Sequence, residues 1–177
     1  MTKIYTKLGD TGKTSLTGEV LLNKDDEVFE VIGSIDELNA SLGVVKSFLK
    51  DRELTKKIEK IQNLLFHLSS EIADKKQLRK DVYLIDEVDI NALEEEIDKW
   101  EELLPPLKNF LFPGNNKTSA LIHLSRTVCR RTERIVIRYS RKEKIRPQII
   151  VFMNRLSDWL FVMARITSPE DDKIWTV

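Results

Sequence analysis

Arg126, Arg130 and Arg134, with Glu133 on the same face of the run Arg-Thr-Val-Cys-Arg-Arg-Thr-Glu-Arg of residues 126–134, are the side chains in this sequence best suited to gripping an anion. At about 100° per residue they fall within roughly a quarter to a third of a helix circumference. Arginine carries a planar fork that matches phosphate or carboxylate bidentately, which lysine lacks. Leu121, Leu124, Val128, Ile135 and Tyr139 lie nearly opposite, so the same helix is expected to turn an apolar stripe to a core. A charged helix face taken alone is more often simply solvated, because surface ion pairs are common and weak. A second segment argues for more than that.

Thr6-Lys7-Leu8-Gly9-Asp10-Thr11-Gly12-Lys13-Thr14-Ser15-Leu16 packs glycines, lysines and hydroxyls into one unpatterned run. Glycines let backbone N–H groups approach a polyanion, lysines supply charge, and hydroxyls can donate to phosphate oxygens or stand near a magnesium ion. Composition alone also allows a flexible tail. Gly12-Lys13-Thr14 suggests a P-loop, but that pattern requires a glycine where Lys7 stands and a hydrophobic strand before it, for which there is no room. The segment is read as a phosphate cradle of another kind.

The rest of the chain must hold these groups in place. Its 177 residues suit one domain, and 41% hydrophobic with 33% charged residues is ordinary for a helical globular protein. Lys plus Arg and Asp plus Glu both number 29, so there is no basic surplus of the sort that drives nucleic-acid binding, and a small anionic ligand fits better. One cysteine, no signal-like apolar segment after Met1 and no run of about 18 apolar residues point away from a membrane and toward the cytoplasm.

Five helices are expected. Asp25 and Asp26 suit a helix N-terminus, and Val28, Val31, Ile35, Leu38, Leu42, Val45 and Leu49 follow at spacings of three and four. A second helix runs from Leu54 to about Ala73, a third from Asp89 to about Leu104 before Pro105 and Pro106, a fourth from about Thr118 to Glu143, and a fifth from Pro147 to about Ile166. Strand signals are nearly absent, so an all-α five-helix bundle is the economical architecture. The division is a single domain over 1–177: an N-terminal loop over 1–24, the bundle over 25–166 and a tail over 167–177.

Ile4 to Gly12, Gly33-Ser34-Ile35-Asp36-Glu37-Leu38-Asn39, the run of 126–134, and Phe152-Met153-Asn154-Arg155-Leu156-Ser157-Asp158-Trp159-Leu160-Phe161 together resemble the PduO-type ATP:cob(I)alamin adenosyltransferases. Four blocks in order are far more specific than any one of them. The resemblance implies a ferritin-like five-helix bundle, a homotrimer with active sites between adjacent subunits, ATP and cob(I)alamin as substrates, and Mg2+. It further implies a reductase and an adenosylcobalamin-dependent enzyme as partners.

Carried over by position, the resemblance assigns nucleotide contacts to Thr6, Lys7, Gly9, Thr14, Ser15 and Lys24, with Leu8, Asp10 and Gly12 in the same cradle. It adds Arg130, Arg131, Glu133, Arg134 and Asn154. Arg126 and Asp36 match an arginine and an aspartate that pair across the subunit interface near the corrin. Removing one partner of such a pair would cost about 3–5 kcal/mol. Phe110 matches an aromatic that crowds the lower face of cobalt and excludes its axial ligand. The chain departs from the family pattern at Phe112-Pro113-Gly114-Asn115, where Leu-Pro-Gly-Gly is common, and at Leu8, where a threonine is usual. No contact is assigned to Trp175.

The implied chemistry is displacement at the 5′-carbon of ATP by Co(I), with triphosphate leaving, so the protein aligns and neutralises and needs no general base. His67 and His123 have no metal-ligand spacing, and Cys129 reads as a packed thiol. Trp100, Trp159 and Phe161 occupy core-like positions. Beside the transferase stand two other readings, a nucleotide-gated cobalamin chaperone without turnover and a structural bundle indifferent to ATP.

Overall fold

A computed structural model of the chain describes residues 5, 7–16, 21–74, 83–168 and 173–175. Five helices dominate: α1 (Glu27–Phe48), α2 (Arg52–Ala73), α3 (Glu87–Glu101), α4 (Lys117–Ser140) and α5 (Pro147–Ile166). Each start has a local cause. Asp26 caps α1 by accepting from Val28 N at 3.2 Å, Asp51 caps α2 through Glu53 N at 2.7 Å, and Asn116 caps α4 through Ser119 N at 2.8 Å. Asp86 and Asp89 close a reciprocal capping box on α3, and Pro147 opens α5. α3 ends at Glu101, three residues before the expected Leu104, because the chain turns at 102–104 ahead of the two prolines.

The helices pack as a bundle in which α1 lies against α2 and α4, while α5 lies against α4 and α3. Trp159, Phe152, Ile35, Leu38, Leu42, Leu65 and Leu68 are among the large side chains fully withdrawn from water. Burying each such side chain contributes about 1.5–3 kcal/mol. The five-helix bundle expected from periodicity is the one observed.

Two features differ from expectation. The N-terminal segment is folded: a 3-10 turn (Leu8–Thr11) leads into an antiparallel hairpin of β1 (Lys13–Ser15) and β2 (Leu21–Asn23), with Thr14 opposite Leu22. Strands of this length leave almost no period to detect. The buried stripe of α4 is also rotated from the one expected. Its core residues are Ile122, Ser125, Cys129, Thr132, Val136 and Tyr139, whereas Leu121, Val128 and Ile135 are half-buried and Leu124 is 57% exposed. α4 is wedged between α1 and α5, and small polar residues let the backbones approach. Thr132 donates to Ser34 O of α1 at 3.1 Å, and Cys129 Sγ to Met153 O of α5 at 3.4 Å. Serine, cysteine and threonine read as surface residues in a hydropathy pattern, which displaced the expected stripe.

Candidate functional site

α4 and α5 run side by side, and their facing residues form a line of charged and polar groups. Toward one end the Arg126 guanidinium lies 5.8 Å from the centre of the Phe161 ring, a cation–π contact. Toward the other, the Asn154 amide donates from Nδ2 to Glu133 Oε1 at 3.2 Å. Cys129 sits beneath, buried, its thiol pushed far up in pKa by burial. Burial and the adjacent Arg130 lower the pKa of Arg126. Its Nε is buried without a hydrogen-bond partner among the described residues. An arginine held this way still carries its charge, so it is primed to accept an anion that would complete it.

The expected site residues separate into groups. Arg130 is exposed and makes no side-chain hydrogen bond or ion pair among the described residues, and Arg134 only returns to Arg130 O at 3.0 Å. Arg131 points elsewhere: it pairs with Glu37 of α1 at 2.5 Å, apart from Arg126 and Arg130. Asp36 is exposed on α1 and has no ion pair among the described residues, so within one chain it does not meet Arg126.

The N-terminal cradle has a definite shape. Lys7 takes a left-handed conformation at φ 61°, an uncommon one for a residue with a side chain, and Gly12 follows at φ 77°. Lys24 N donates to Gly12 O at 2.8 Å, closing the hairpin onto the turn. A Cβ added to Gly9 would lie 2.9 Å from Lys24 Nζ, so glycine leaves room for that ammonium to cross the turn. Thr14 is half-buried, while Asp10, Gly12 and Ser15 are exposed. Leu8 belongs to the turn, and Thr6 lies outside the described residues. No hydrogen bond or ion pair among those described joins this cradle to Arg126, Arg130, Glu133 or Arg134.

Phe110 sits in the loop between α3 and α4 and is 79% exposed. What holds it is a contact from far along the chain, which local spacing does not reveal. Phe112 N donates to Lys173 O at 2.8 Å and Trp175 N to Phe110 O at 2.8 Å, a small antiparallel bridge tying the C-terminal residues to the loop. The Trp175 ring meets Phe110 edge-on, with centroids 6.3 Å apart. Gly114, at φ 93°, turns the chain into α4, and a Cβ there would come 3.1 Å from Ala120 Cβ.

Among the described residues no group of three or more His, Cys, Asp or Glu could cage a metal. A magnesium ion usually keeps waters and is shared between substrate phosphates and one or two protein oxygens.

Residues 4–167 match the cobalamin adenosyltransferase family model. The chain is 42% identical over 173 residues to a corrinoid adenosyltransferase of Citrobacter freundii, covering 97% of this chain and 98% of the relative. It is 36% identical over 176 residues to corrinoid adenosyltransferase MMAB of Homo sapiens, covering 96% and 70%. Among solved structures it resembles a phenylalanine-to-histidine variant of the PduO-type ATP:corrinoid adenosyltransferase of Lactobacillus reuteri complexed with cobalamin and ATP. The TM-score is 0.92 at 34% identity, covering 98% of this chain and 96% of that one.

Proposed function

The chain belongs to the cobalamin adenosyltransferase family, and from that premise we propose how its own residues divide the work of the reaction. The protein transfers the 5′-deoxyadenosyl group of ATP to the Co(I) of reduced cobalamin, forming adenosylcobalamin and releasing triphosphate. Cobalt supplies the electron pair of the new Co–C bond, and the C5′–O bond breaks with its electrons passing to the triphosphate. No proton needs to be taken from either reactant. The requirement on the protein is alignment of two substrates and neutralisation of a leaving polyanion.

Arg130 and Arg134, with Lys7, Lys24, Thr14, Ser15 and the backbone around Gly9 and Gly12, take the triphosphate; Thr6 is assigned there with them. The observation that carries this reading is the unpartnered arginine face of α4, where Arg130 has no carboxylate and Arg126 has a buried, unbonded Nε. A magnesium ion carried by the triphosphate would add charge neutralisation there, and the hydroxyls of Thr14 and Ser15 would stand near it. Phe110, exposed and braced by Trp175, stands against the lower face of cobalt and keeps its axial ligand away, which makes reduction to Co(I) easier.

The protein acts as a homotrimer with sites between subunits. Among the described residues Asp36 and Arg126 have no ion partner, and the cradle makes no described polar contact with the arginine face. Val44, Phe48 and Leu124 leave apolar surface on α1 and α4. A cytoplasmic location is in keeping with the finding that no described helix is long and apolar enough to cross a membrane.

The test is anaerobic incubation with chemically reduced cobalamin, ATP and magnesium, following loss of the Co(I) spectrum and photolysis of the product. Adenosylcobalamin that requires both ATP and protein is the expected result. Binding of both substrates without product would instead make the protein a nucleotide-gated cobalamin carrier. Phe110→Ala, assayed from Co(II) with a reductant and separately from Co(I), is expected to lose rate mainly from Co(II), each tenfold representing about 1.4 kcal/mol. Equal losses from both would remove the steric role.

A further inference from the structure

The steric role of Phe110 demands a fixed place for its ring, yet the side chain is 79% exposed, so core packing does not supply one. Its position is inherited from the loop of residues 102–116 between α3 and α4, and that loop is tied near both ends to the C-terminal end of α5. Near the loop's start the buried Arg165 donates from Nη2 to Pro105 O at 2.8 Å. At its end the Asn116 amide donates from Nδ2 to Thr167 O, the C-cap of α5, at 2.9 Å. Between them, the bridge from Phe110 and Phe112 leads to Lys173 and Trp175, which follow the same helix. Val162, Met163 and Ala164 are withdrawn from water beside these anchors, so the end of α5 is close-packed and gives them a firm base.

Asn116 is the joint between two helices. Its Oδ1 accepts from Ser119 N at 2.8 Å and caps α4, while its Nδ2 holds a carbonyl 51 residues further along the chain. A cap needs only the acceptor, which an aspartate or a serine would supply equally well. An amide adds a donor beside it, and that donor is what reaches α5. We propose that Asn116 is a positioning residue: its amide locks the loop bearing Phe110 to the end of α5 and thereby sets where the ring stands. This rests on the steric role proposed for Phe110 above and names what holds that ring in place. Arg165, donating at the other end of the loop, is the matching anchor. A group displaced by about 1 Å through a change remote from the chemistry can cost about a hundredfold in rate.

The test compares Asn116→Asp with wild type in the full-length protein, measuring turnover from Co(II) with a reductant and separately from Co(I). Aspartate keeps the cap, and its charge suits a helix N-terminus, but a carboxylate cannot donate to Thr167 O. The urea midpoint should therefore stay near that of wild type. The rate from Co(II) is expected to fall by about tenfold or more, and the rate from Co(I) to stay within about threefold. Asn116→Ser, whose hydroxyl caps α4 but stops short of Thr167 O, should show the same split. The decisive arm is the double variant Phe110→Ala with Asn116→Asp. If Asn116 works through the ring, the double variant loses no more from Co(II) than Phe110→Ala alone. Equal losses from both cobalt states in Asn116→Asp would mark a general structural role and overturn the proposal, as would an unchanged rate from Co(II) or losses that add in the double variant. Equal losses from both states in Phe110→Ala would instead overturn the steric reading itself, a different failure visible before Asn116 is changed.

Discussion

α4 carries two stripes of arginine, and they are treated in opposite ways. On the side facing α1, Arg131 pairs with Glu37 at 2.5 Å and Arg138 with Glu30 at 2.5 Å, and Lys142 just beyond the helix extends the row to Glu27 at 2.5 Å. On the side facing α5, Arg126 and Arg130 have no such carboxylate among the described residues, and the acid nearby, Glu133, accepts from an amide instead. The two stripes share a helix, a residue type and a spacing. What separates them is whether the fold supplies the counter-charge. A row that is neutralised inside the chain serves packing, and a row that is not has been left for something outside it.

The sharpest break of this comparison is to remove the proposed outside partner. Asp36→Ala should leave Arg126 uncompensated once an interface closes over it, costing about 3–5 kcal/mol of assembly stability. Sedimentation equilibrium across a dilution series reads that loss as a shift toward smaller species. An unchanged association constant would mean the two residues never meet. Next in size is Arg130→Ala, expected to lower turnover by about two to three orders of magnitude, as for loss of one preorganised donor to developing charge. Unfolding temperature should hardly move, since Arg130 is exposed and its side chain has no partner among the described residues; unchanged kinetics would return Arg130 to the solvated surface.

How far these stripes were legible in the sequence follows from the same distinction. Arg126, Arg130 and Arg134 could be placed on one face because helical spacing is local information. Helices α1, α2 and α5 were legible for that reason too, with Asp26 and Pro147 marking two of their starts. The partner of Arg131 was not legible, because Glu37 is far away along the chain and only the α1–α4 packing brings it near. The rotation of the α4 core had the same origin: Ser125, Cys129 and Thr132 look polar until a neighbouring backbone makes their smallness useful. The bridge from Trp175 to Phe110 is equally nonlocal, joining a few residues across the length of two helices. The four-block resemblance supplied candidate roles that spacing alone could not.

A pair that is both satisfied and shielded sharpens the comparison further. Arg146 reaches Glu71 with two bonds, at 2.6 and 2.9 Å, and donates to Ile85 O at 2.7 Å, and the Glu71 side chain is only 12% exposed. The hydrogen bond to Glu71 is the main reason the Arg146 guanidinium is held above its ordinary pKa. Glu71→Ala removes a charge-assisted partner from a partly buried arginine, a loss of about 1.5–3 kcal/mol. Urea denaturation should show that loss while turnover per folded protein stays at the wild-type value. A variant as stable as wild type would mean that the remaining bond to Ile85 O suffices for Arg146.

The smallest effect belongs to the paired stripe itself. Arg138 and Glu30 are both about half exposed, so water competes for each of them and the long arginine side chain loses rotamer freedom to hold the contact. The hydrogen bond to Glu30 raises the Arg138 pKa, yet an arginine is already fully charged at any pH where the protein folds, so no pH dependence follows from it. Ionic strength is the variable that does report on the pair. Arg138→Ala is expected to lower the urea midpoint slightly at low salt, by an amount that shrinks at 1 M salt, where the screening length falls to about 3 Å. Turnover should be the same at both salt concentrations as in wild type measured alongside. If Arg138→Ala instead lowered turnover as Arg130→Ala is expected to do, the presence of an in-chain counter-charge would no longer separate structural arginines from functional ones on this helix.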